Sequence, residues 1–290
     1  MTQPWRQSRG AFATSFAPPA AWLAVFFIVP LAVIWAYSFG HTVGMTHIAI
    51  NGSFHNYARA LQPIYLQILL KSLSIAALTT LICLIIGFPV ALMLTFASPK
   101  AKVWILLAIM LPFWTNLLIR TYALMAVLRT RGFLNTGLET LWNAFGAHFT
   151  PLPMMHNAFA VVLGLVYVNL PFLVLPLYAA LDRLDRSLLE ASLDLGAGHI
   201  RTIFQIVVPL AAPGILSGVL ITFIPALGSY LTPDLMGGAD NQMIASVIER
   251  QFKRANDWPF GAALSFLLMY LTLISMAVQG WTSKAHGEGV

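Results

Sequence analysis

Charged residues are scarce in this chain, and their scarcity indicates its class. Only 9% of the 290 residues are Asp, Glu, Lys or Arg, whereas 59% are apolar. Soluble globular domains carry about 25% charged residues, so the composition excludes an ordinary soluble domain and predicts a polytopic membrane protein. The net charge of +6 comes without a basic run, and we therefore expect no nucleic-acid partner.

Cysteine is scarce, and the histidines are not clustered. Cys83 is the single cysteine, so the chain can form neither an internal disulfide nor a Cys-x-x-Cys metal pair. It lies in an apolar run, where we expect a small core or lipid-facing residue. The seven histidines are dispersed and form no His-Glu-x-x-His pattern. A membrane enzyme with a metal site is therefore a poor fit, and we expect no metal.

The chain has no nucleotide-binding motif and almost no charge within its apolar segments. It contains no Gly-Lys pair and hence no Walker A loop, so ATP could act only through a separate subunit. The predicted spans hold no Asp or Glu, and Arg120 is their one strongly charged residue. An ion-coupled secondary transporter should place an ionisable relay there, so that class is kept only as a remote alternative.

Six apolar segments are long enough to cross a membrane. A span needs about 20 residues for roughly 30 Å of hydrocarbon, and helices are expected because lipid offers no partner to open backbone groups. The fold class predicted is all-α, a polytopic protein with six transmembrane helices inside a domain at 20–281, preceded by a cytosolic lead (1–19) and followed by a cytosolic tail (282–290). The predicted spans are 20–39, 72–97, 103–128, 158–180, 214–231 and 260–281.

Charge asymmetry orients these spans only weakly. Six spans place both termini on one side, with outer loops at 41–70, 129–157 and 232–258 and a short amphipathic helix at 243–252 in the last. Eight basic residues would then lie inside: Arg6, Arg9, Lys100, Lys102, Arg183, Arg186, Arg201 and Lys284. Seven would lie outside: Arg59, Lys71, Arg129, Arg131, Arg250, Lys253 and Arg254. The tight basic turn at 98–102 favours the cytosol for the inner side.

The segment 182–213 carries polar residues between two spans and predicts a helix-turn-helix. Apolar residues recur at helical spacing over 183–195 and again over 199–207. Gly196 and Gly198 separate the two helices, because glycine reaches the left-handed conformation of a sharp helical turn. Pro209 is expected to break the second helix, after which the chain restarts. The motif is suited to being held by something outside the bilayer.

This segment resembles the EAA loop of ABC-importer permeases. The pattern reads Glu190-Ala191-Ser192, then Gly196, then Ile206, Val208 and Pro209, with Ser192 in place of a usual Ala and Val208 in place of a usual Leu. Three further stretches, PFWTNLLIRTY (112–122), FIPALGSYLTPDLMGG (223–238) and DWPFG (257–261), are similar to the spermidine/putrescine permeases. The resemblance covers nearly the whole chain. Ser229 departs from it, because members often carry an acidic residue there.

The resemblance implies a type I ABC-importer permease fold and a set of partners. These are a second, homologous permease, two ATPase subunits that bind ATP and Mg²⁺, and a solute-binding protein docking on the outer loops, while this chain holds no cofactor. It implies the bacterial cytoplasmic (inner) membrane as the location, with a coupling loop at 182–210. Aminophosphonate, thiamine, ferric iron and sulfate remain alternative substrates. The coupling residues it implies are Glu190, Ala191, Ser192, Asp194, Gly196, Ala197, Ile206 and Pro209.

The substrate path is predicted from what a polyamine requires. Its ammonium groups favour carboxylates and aromatic faces. Pro112 and Pro225 are expected mid-span, where a broken helix tends to line a cavity, although a plain packing kink is the alternative. Arg120 is expected to be structural, because it would repel a cation. The candidate path residues are Trp114, Asn116, Tyr122, Tyr167, Asn169 and Tyr230, with Asp234 and Asp257 at the outer mouth.

Gly214 and Gly218 form a small-xxx-small pair on the fifth predicted span. Two small residues on one helix face let a neighbouring helix approach closely. We expect this face to pack either inside the subunit or against a partner permease.

Overall fold

Apolar helices dominate the structure, as the composition predicts. A computed structural model describes residues 9–44, 47–145 and 149–287, with side chains described over 14–277 of these. Over that part of the chain, five helices are long and apolar enough to cross a membrane, and a sixth span forms if one bent helix pair is counted as one. The five are Thr14–Tyr37, Pro63–Phe96, Ala158–Leu181, His199–Leu227 and Trp258–Ala277.

Fourteen α-helices and one β-hairpin make up the described chain. The N-terminal helices are α1 (Arg9–Leu23), α2 (Val29–Tyr37), α3 (His55–Ala60), α4 (Pro63–Phe96), α5 (Pro99–Met110), α6 (Leu117–Leu128) and α7 (Phe133–Ala144). The remaining helices are α8 (Ala158–Leu181), α9 (Arg186–Asp194), α10 (His199–Thr202), α11 (Val208–Leu227), α12 (Leu231–Met236), α13 (Ile244–Lys253) and α14 (Trp258–Gly287). Strands β1 (Gly40–Val43) and β2 (His47–Ile50) pair antiparallel.

The third predicted span is broken by a sharp bend. After α5, a 3-10 turn at Leu111–Trp114 contains Pro112, and Thr115 is extended. Asn116 then caps α6, because its side-chain oxygen accepts the Leu118 N–H at 2.8 Å. The helical segments on either side of this break lie at 99°. The break expected at Pro112 is present, and its angle of 99° was not predicted from the sequence.

The expected break at Pro209 is wrong. The chain runs as one helix over His199–Leu227, and a π-helical turn at Ile203–Val207 joins α10 to α11. In a π turn each N–H bonds to the carbonyl five residues earlier and not four. This shifts the hydrogen-bond register just before Pro209, so the helix continues although proline has no N–H to donate. A second π turn, Ala24–Ile28, joins α1 to α2 and likewise ends two residues before a proline, Pro30.

Other boundaries also differ from the sequence predictions. Pro225 is not mid-span, since α11 ends at Leu227 and α12 follows after a short break. Helix α4 begins at Pro63 and not at 72, because the amphipathic first turns continue straight into the span. The hairpin β1–β2 and α1, which begins inside the predicted lead, were not foreseen. The helices at 158–180 and 243–252 are confirmed to within a residue.

The chain divides into two compact units. The first comprises the residues up to Pro63 together with Ile248–Leu271. Its polar centre is Asn56, whose side-chain amide donates to the carbonyls of Ser38 (3.0 Å) and Gly40 (2.8 Å). The Ser38 hydroxyl in turn bonds the Tyr57 hydroxyl at 2.8 Å. The bonds from Asn56 satisfy backbone carbonyls between the C-terminal end of α2 and the start of the β-hairpin.

The second unit, Ile64–Val247 with Thr272–Val290, contains the main apolar core. Helices α4, α8 and α11 pack their buried faces together. Gly214 and Gly218 on α11 both face α8, Gly214 against Ala180 and Gly218 against Leu173. The small-residue face therefore packs within this subunit. Cys83 is fully buried in the same core, which confirms one of its two expected environments.

Candidate coupling and translocation sites

The helix-turn-helix predicted between spans four and five is present, and we call α9, α10, the turn between them and the following π turn the coupling hairpin (186–207). Asp185 caps α9, with its carboxylate accepting the Ser187 N–H at 3.0 Å. The cap explains why α9 starts at Arg186 and not at 183. After α9, Gly196 has φ +84°, and the Ala197 N–H returns to the Ser192 carbonyl at 3.1 Å. Gly196 is thus the left-handed residue that ends the helix.

A buried hydrogen bond locks the two arms of the coupling hairpin. The Ser192 and Thr202 hydroxyls lie 2.9 Å apart, and both residues are buried. Ser192 occupies the position where the EAA pattern usually has alanine, which could not make this bond. The sequence alone did not indicate a role for this replacement, because it does not show that Thr202 lies opposite Ser192.

The coupling hairpin also presents a surface of exposed apolar and acidic side chains. Leu195 is 89% exposed, Ile200 73% and Phe204 68%. A large exposed apolar patch in a polar setting marks an interaction site. Of the eight predicted coupling residues, five are exposed, Ser192 is buried, and Ala197 and Ile206 are half-buried. The exposed five are Glu190, Ala191, Asp194, Gly196 and Pro209.

Two carboxylates just before the coupling hairpin, those of Asp182 and Asp185, stay ionised near neutral pH. A hydrogen bond from Lys102 is the main cause that lowers the pKa of Asp182 below its usual 3.8. The backbone N–H of Ser187 does the same for the pKa of Asp185. A depressed carboxyl pKa contributes stability that is present at pH 7 and is lost as pH falls through the lowered value. The contribution of these two carboxylates to stability is therefore expected to be constant between pH 5 and 8.

Seven of the eight predicted path residues lie in the second unit, on helices or in the breaks between them. Trp114 and Asn116 flank the break between α5 and α6, and Trp114 is 78% exposed. Tyr230 lies in the break between α11 and α12. Asn169 is buried in α8, with its amide donating to the Leu165 carbonyl at 2.8 Å. Three further path residues are exposed: Tyr122, Tyr167 and Asp234.

Arg120 is buried in α6 and makes an aromatic contact that the sequence did not predict. It is 9% exposed, and its Nε atom has no hydrogen-bond partner among the described residues. Its guanidinium lies 5.9 Å from the centroid of the Phe113 ring, and Phe113 stacks edge-on with Phe172 at 5.3 Å. Arg120 thus braces the two sides of the break at Pro112, which agrees with a structural role.

Asp257, predicted at the outer mouth, is already engaged within the first unit. One carboxylate oxygen pairs with Arg59 Nη1 at 2.7 Å, and the other accepts the Phe260 N–H at 3.3 Å, capping α14. The Arg59 guanidinium also lies 4.0 Å above the Phe260 ring. Asp257 thus caps a helix and forms an ion pair, and the sequence analysis predicted neither role. The ion pair could not be inferred because Arg59 and Asp257 are far apart in sequence.

Two substitutions separate the cap of Asp257 from a charge role. Asp257→Asn keeps an N-cap oxygen but removes the ion pair, and we expect near-normal uptake because exposed pairs contribute only about 0–1 kcal/mol. Asp257→Ala also removes the cap, which costs about 0.5–2 kcal/mol, and thermal unfolding of the purified protein should show the loss. If instead both variants equally lost uptake while keeping stability, Asp257 would contact the substrate by its charge.

Five or six apolar spans, with an amphipathic helical hairpin between two of them, have the architecture expected of a membrane component of a transport system. A family model described as "Binding-protein-dependent transport system inner membrane component" matches residues 7–285. The chain belongs to this family and is accordingly a multi-pass inner-membrane protein.

Particular relatives and one solved structure resemble the chain over almost its full length. It is 43% identical over 269 residues to the spermidine/putrescine transport system permease protein PotB of Escherichia coli K12, covering 93% of this chain and 96% of that protein. PotB of Haemophilus influenzae is 38% identical, covering 89% of each. The fold also matches a chain of a bacterial ABC transporter that imports the acidic polysaccharide alginate, with TM-score 0.74, 14% identity and 97% of each chain covered.

Proposed function

We propose that this chain is the non-catalytic permease subunit of an ATP-driven importer of polyamines such as spermidine and putrescine. The observation that carries the substrate class is the 43% identity to the Escherichia coli permease named for these compounds, over 93% of this chain. The three stretches at 112–122, 223–238 and 257–261 support the same class. ATP and Mg²⁺ bind to two partner ATPase subunits, and this chain itself holds no cofactor.

The exposed surface of the coupling hairpin is proposed to dock into a groove on one ATPase subunit. Leu195, Ile200 and Phe204 supply apolar contacts, and Glu190 supplies polar or charged ones at the edge. The buried Ser192–Thr202 bond keeps the two arms at a fixed spacing. Such a rigid body can transmit closure of the ATPase dimer to the spans, which then alternate between inward-open and outward-open states.

The complex also includes a second permease and a solute-binding protein on the outer face. We place the binding protein on the outer loops at 41–70, 129–157 and 232–258, with both termini and the coupling hairpin in the cytosol. The domain limits follow the same arrangement: a six-span domain at 20–281 between a short lead and tail.

The proposed pathway binds its cation weakly. Aromatic faces at Trp114, Tyr122, Tyr167 and Tyr230 line it together with Asn116, and a cation–aromatic contact contributes about 0.5–2 kcal/mol. Asn169 is also assigned to the pathway, and its amide would have to leave the Leu165 carbonyl to reach the substrate. No carboxylate lies in the predicted spans, and Ser229 stands where an acid is common. Weak transit binding suits a pore that must release its cargo, while selectivity is left to the binding protein.

Reconstitution tests both the class and the substrate. The chain is placed in nanodiscs with its neighbouring permease, ATPase and binding protein, and ATP hydrolysis is measured with spermidine, putrescine or an aminophosphonate. We expect stimulation by the polyamines alone. Stimulation by the aminophosphonate would keep the class and overturn the substrate, and failure to assemble with an ATPase would overturn the class.

A further inference from the structure

Two basic side chains hold the segment that leads from α8 into the coupling hairpin (178–186) against the ends of α4 and α5. Lys102, in the first turn of α5, places its ammonium 2.9 Å from the Asp182 carboxylate and 5.1 Å from the centroid of the Tyr178 ring. Tyr178 is in the last turns of α8, and Asp182 directly follows that helix. The pair therefore joins α5 to the exit of α8.

Arg186 makes the second link. Its Nη2 donates to the Thr95 carbonyl at 3.0 Å, and its guanidinium lies 5.7 Å from the centroid of the Phe96 ring. Thr95 is in the last turn of α4, where helix carbonyls lack intrahelical partners. Arg186 in the first turn of α9 thus caps the C-terminal end of α4, where a cation also complements the helix dipole.

A groove open to solvent lies between these helices. Its volume is about 390 Å³, and it separates the C-terminal end of α4 from the coupling hairpin. Leu92 and Phe96 line it on one side, Leu193 and Ile203 line it on the other, and Arg186 lies among its lining residues. Because side chains do not fill this groove, the polar links at Arg186 and Lys102 hold a position that apolar packing alone does not fix.

We propose that Lys102 and Arg186 are positioning residues: Arg186 ties the coupling hairpin to α4, and Lys102 ties the exit of α8, which leads into the hairpin, to α5. Movement of the hairpin is thereby delivered to the broken third span. Helix α5 runs directly into the 3-10 turn at Leu111–Trp114 and the 99° break. Displacement of the coupling hairpin then pulls on the segment that carries the exposed Trp114. This inference rests on the proposed function, because it assumes an ATPase that moves the coupling hairpin.

The test measures polyamine taken up per ATP hydrolysed in proteoliposomes of the full complex. The variants Lys102→Met and Arg186→Met keep an apolar stem and lose the charge. Lys100→Met and Arg183→Met are matched controls, since both cations are exposed and neighbour the linked ones in sequence. We expect each linked variant to lower the ratio by roughly threefold, a modest effect appropriate to partly exposed pairs, with ATP hydrolysis retained and both controls unchanged.

A charge exchange between Lys102 and Asp182 distinguishes loss of the ion pair from misfolding. Lys102→Asp and Asp182→Lys should each lower the ratio, and the double variant, which restores an ion pair across the same gap, should recover most of it. Equal ratios in the linked variants and the controls would overturn the proposal. So would a parallel loss of ATP hydrolysis and assembled complex, without rescue in the double variant. If the unsubstituted complex showed no polyamine-stimulated hydrolysis, the proposed function would fail instead.

Discussion

Gly196→Val is expected to reduce polyamine uptake by tenfold or more while the protein still reaches the membrane. Gly196 has φ +84° at the turn of the coupling hairpin. A left-handed conformation costs an L-residue roughly 1–2 kcal/mol, and it is a genuine outlier for a β-branched one. The turn should therefore relax to another geometry. Because a tenfold change in rate needs only about 1.4 kcal/mol, a small displacement of the hairpin suffices to uncouple ATP hydrolysis from uptake.

The controls use the same turn. A Cβ added at Gly196 or at Gly198 meets no atom within 4 Å, but Gly198 has an ordinary backbone conformation. Gly198→Ala should therefore leave uptake unchanged, which isolates the effect of backbone conformation from that of added bulk. Gly196→Asn should be milder than Gly196→Val, since asparagine tolerates the left-handed region, and Gly196→Asp should fall between them. Measurements are uptake and ATP hydrolysis in the reconstituted complex.

This account would be contradicted if uptake fell with the size of the new side chain at both glycines. It requires instead that uptake by the Gly196 variants follow how readily each residue adopts a left-handed conformation. It would indicate that the turn contacts the ATPase directly and that any side chain there obstructs docking. Normal uptake by Gly196→Val would go further and remove the coupling role from the hairpin altogether.

Local chemistry explains which parts of the fold were predictable. The turn of the coupling hairpin follows from Gly196, because few residues other than glycine adopt its conformation freely. Spans follow from length and apolarity, which lipid imposes on any helix that crosses it. These features depend on residues close together in the chain, so they can be inferred without a structure.

Features that depend on distant or subtle partners were not predictable. Pro209 normally ends a helix, and the π turn that accommodates it leaves no sequence signature. The Arg59–Asp257 pair and the Ser192–Thr202 bond each need a partner whose position only the fold supplies. The bend at Pro112 was foreseen as a break, but a proline in the sequence does not specify the angle, which is 99° in the structure.

Gly214→Ala is expected to destabilise the transmembrane core, and Ala180→Gly is expected to rescue it. A Cβ built on Gly214 overlaps the methyl group of Ala180 on α8. Both helices are continuous here and form part of the main core, so neither backbone can yield locally. Overpacking of this kind costs typically about 1–3 kcal/mol. The loss should appear as a lower thermal unfolding temperature in detergent and as less folded protein in the membrane.

The rescue identifies the contact. Ala180→Gly removes the methyl group that the new Cβ meets, so the double variant should unfold close to the temperature of the unsubstituted protein. Ala180→Gly alone should be mildly destabilising, since glycine within a helix costs roughly 0.5–1 kcal/mol relative to alanine. Gly137→Ala in α7 is the matched control, because its added Cβ meets nothing within 4 Å, and it should be neutral or slightly stabilising.

The outcome also tests whether this face of α11 packs against α8 of the same chain, as it does in the structure. If Ala180→Gly restores stability, the closest approach at Gly214 is to α8 of the same chain, and the small-residue face serves the internal core. A Gly214→Ala variant that unfolds normally alone but fails to assemble with the second permease would show that the face contacts the partner subunit. Gly218→Ala should give a smaller loss than Gly214→Ala in either case, because its Cβ would lie 3.3 Å from the Leu173 carbonyl oxygen, a tight but adjustable contact.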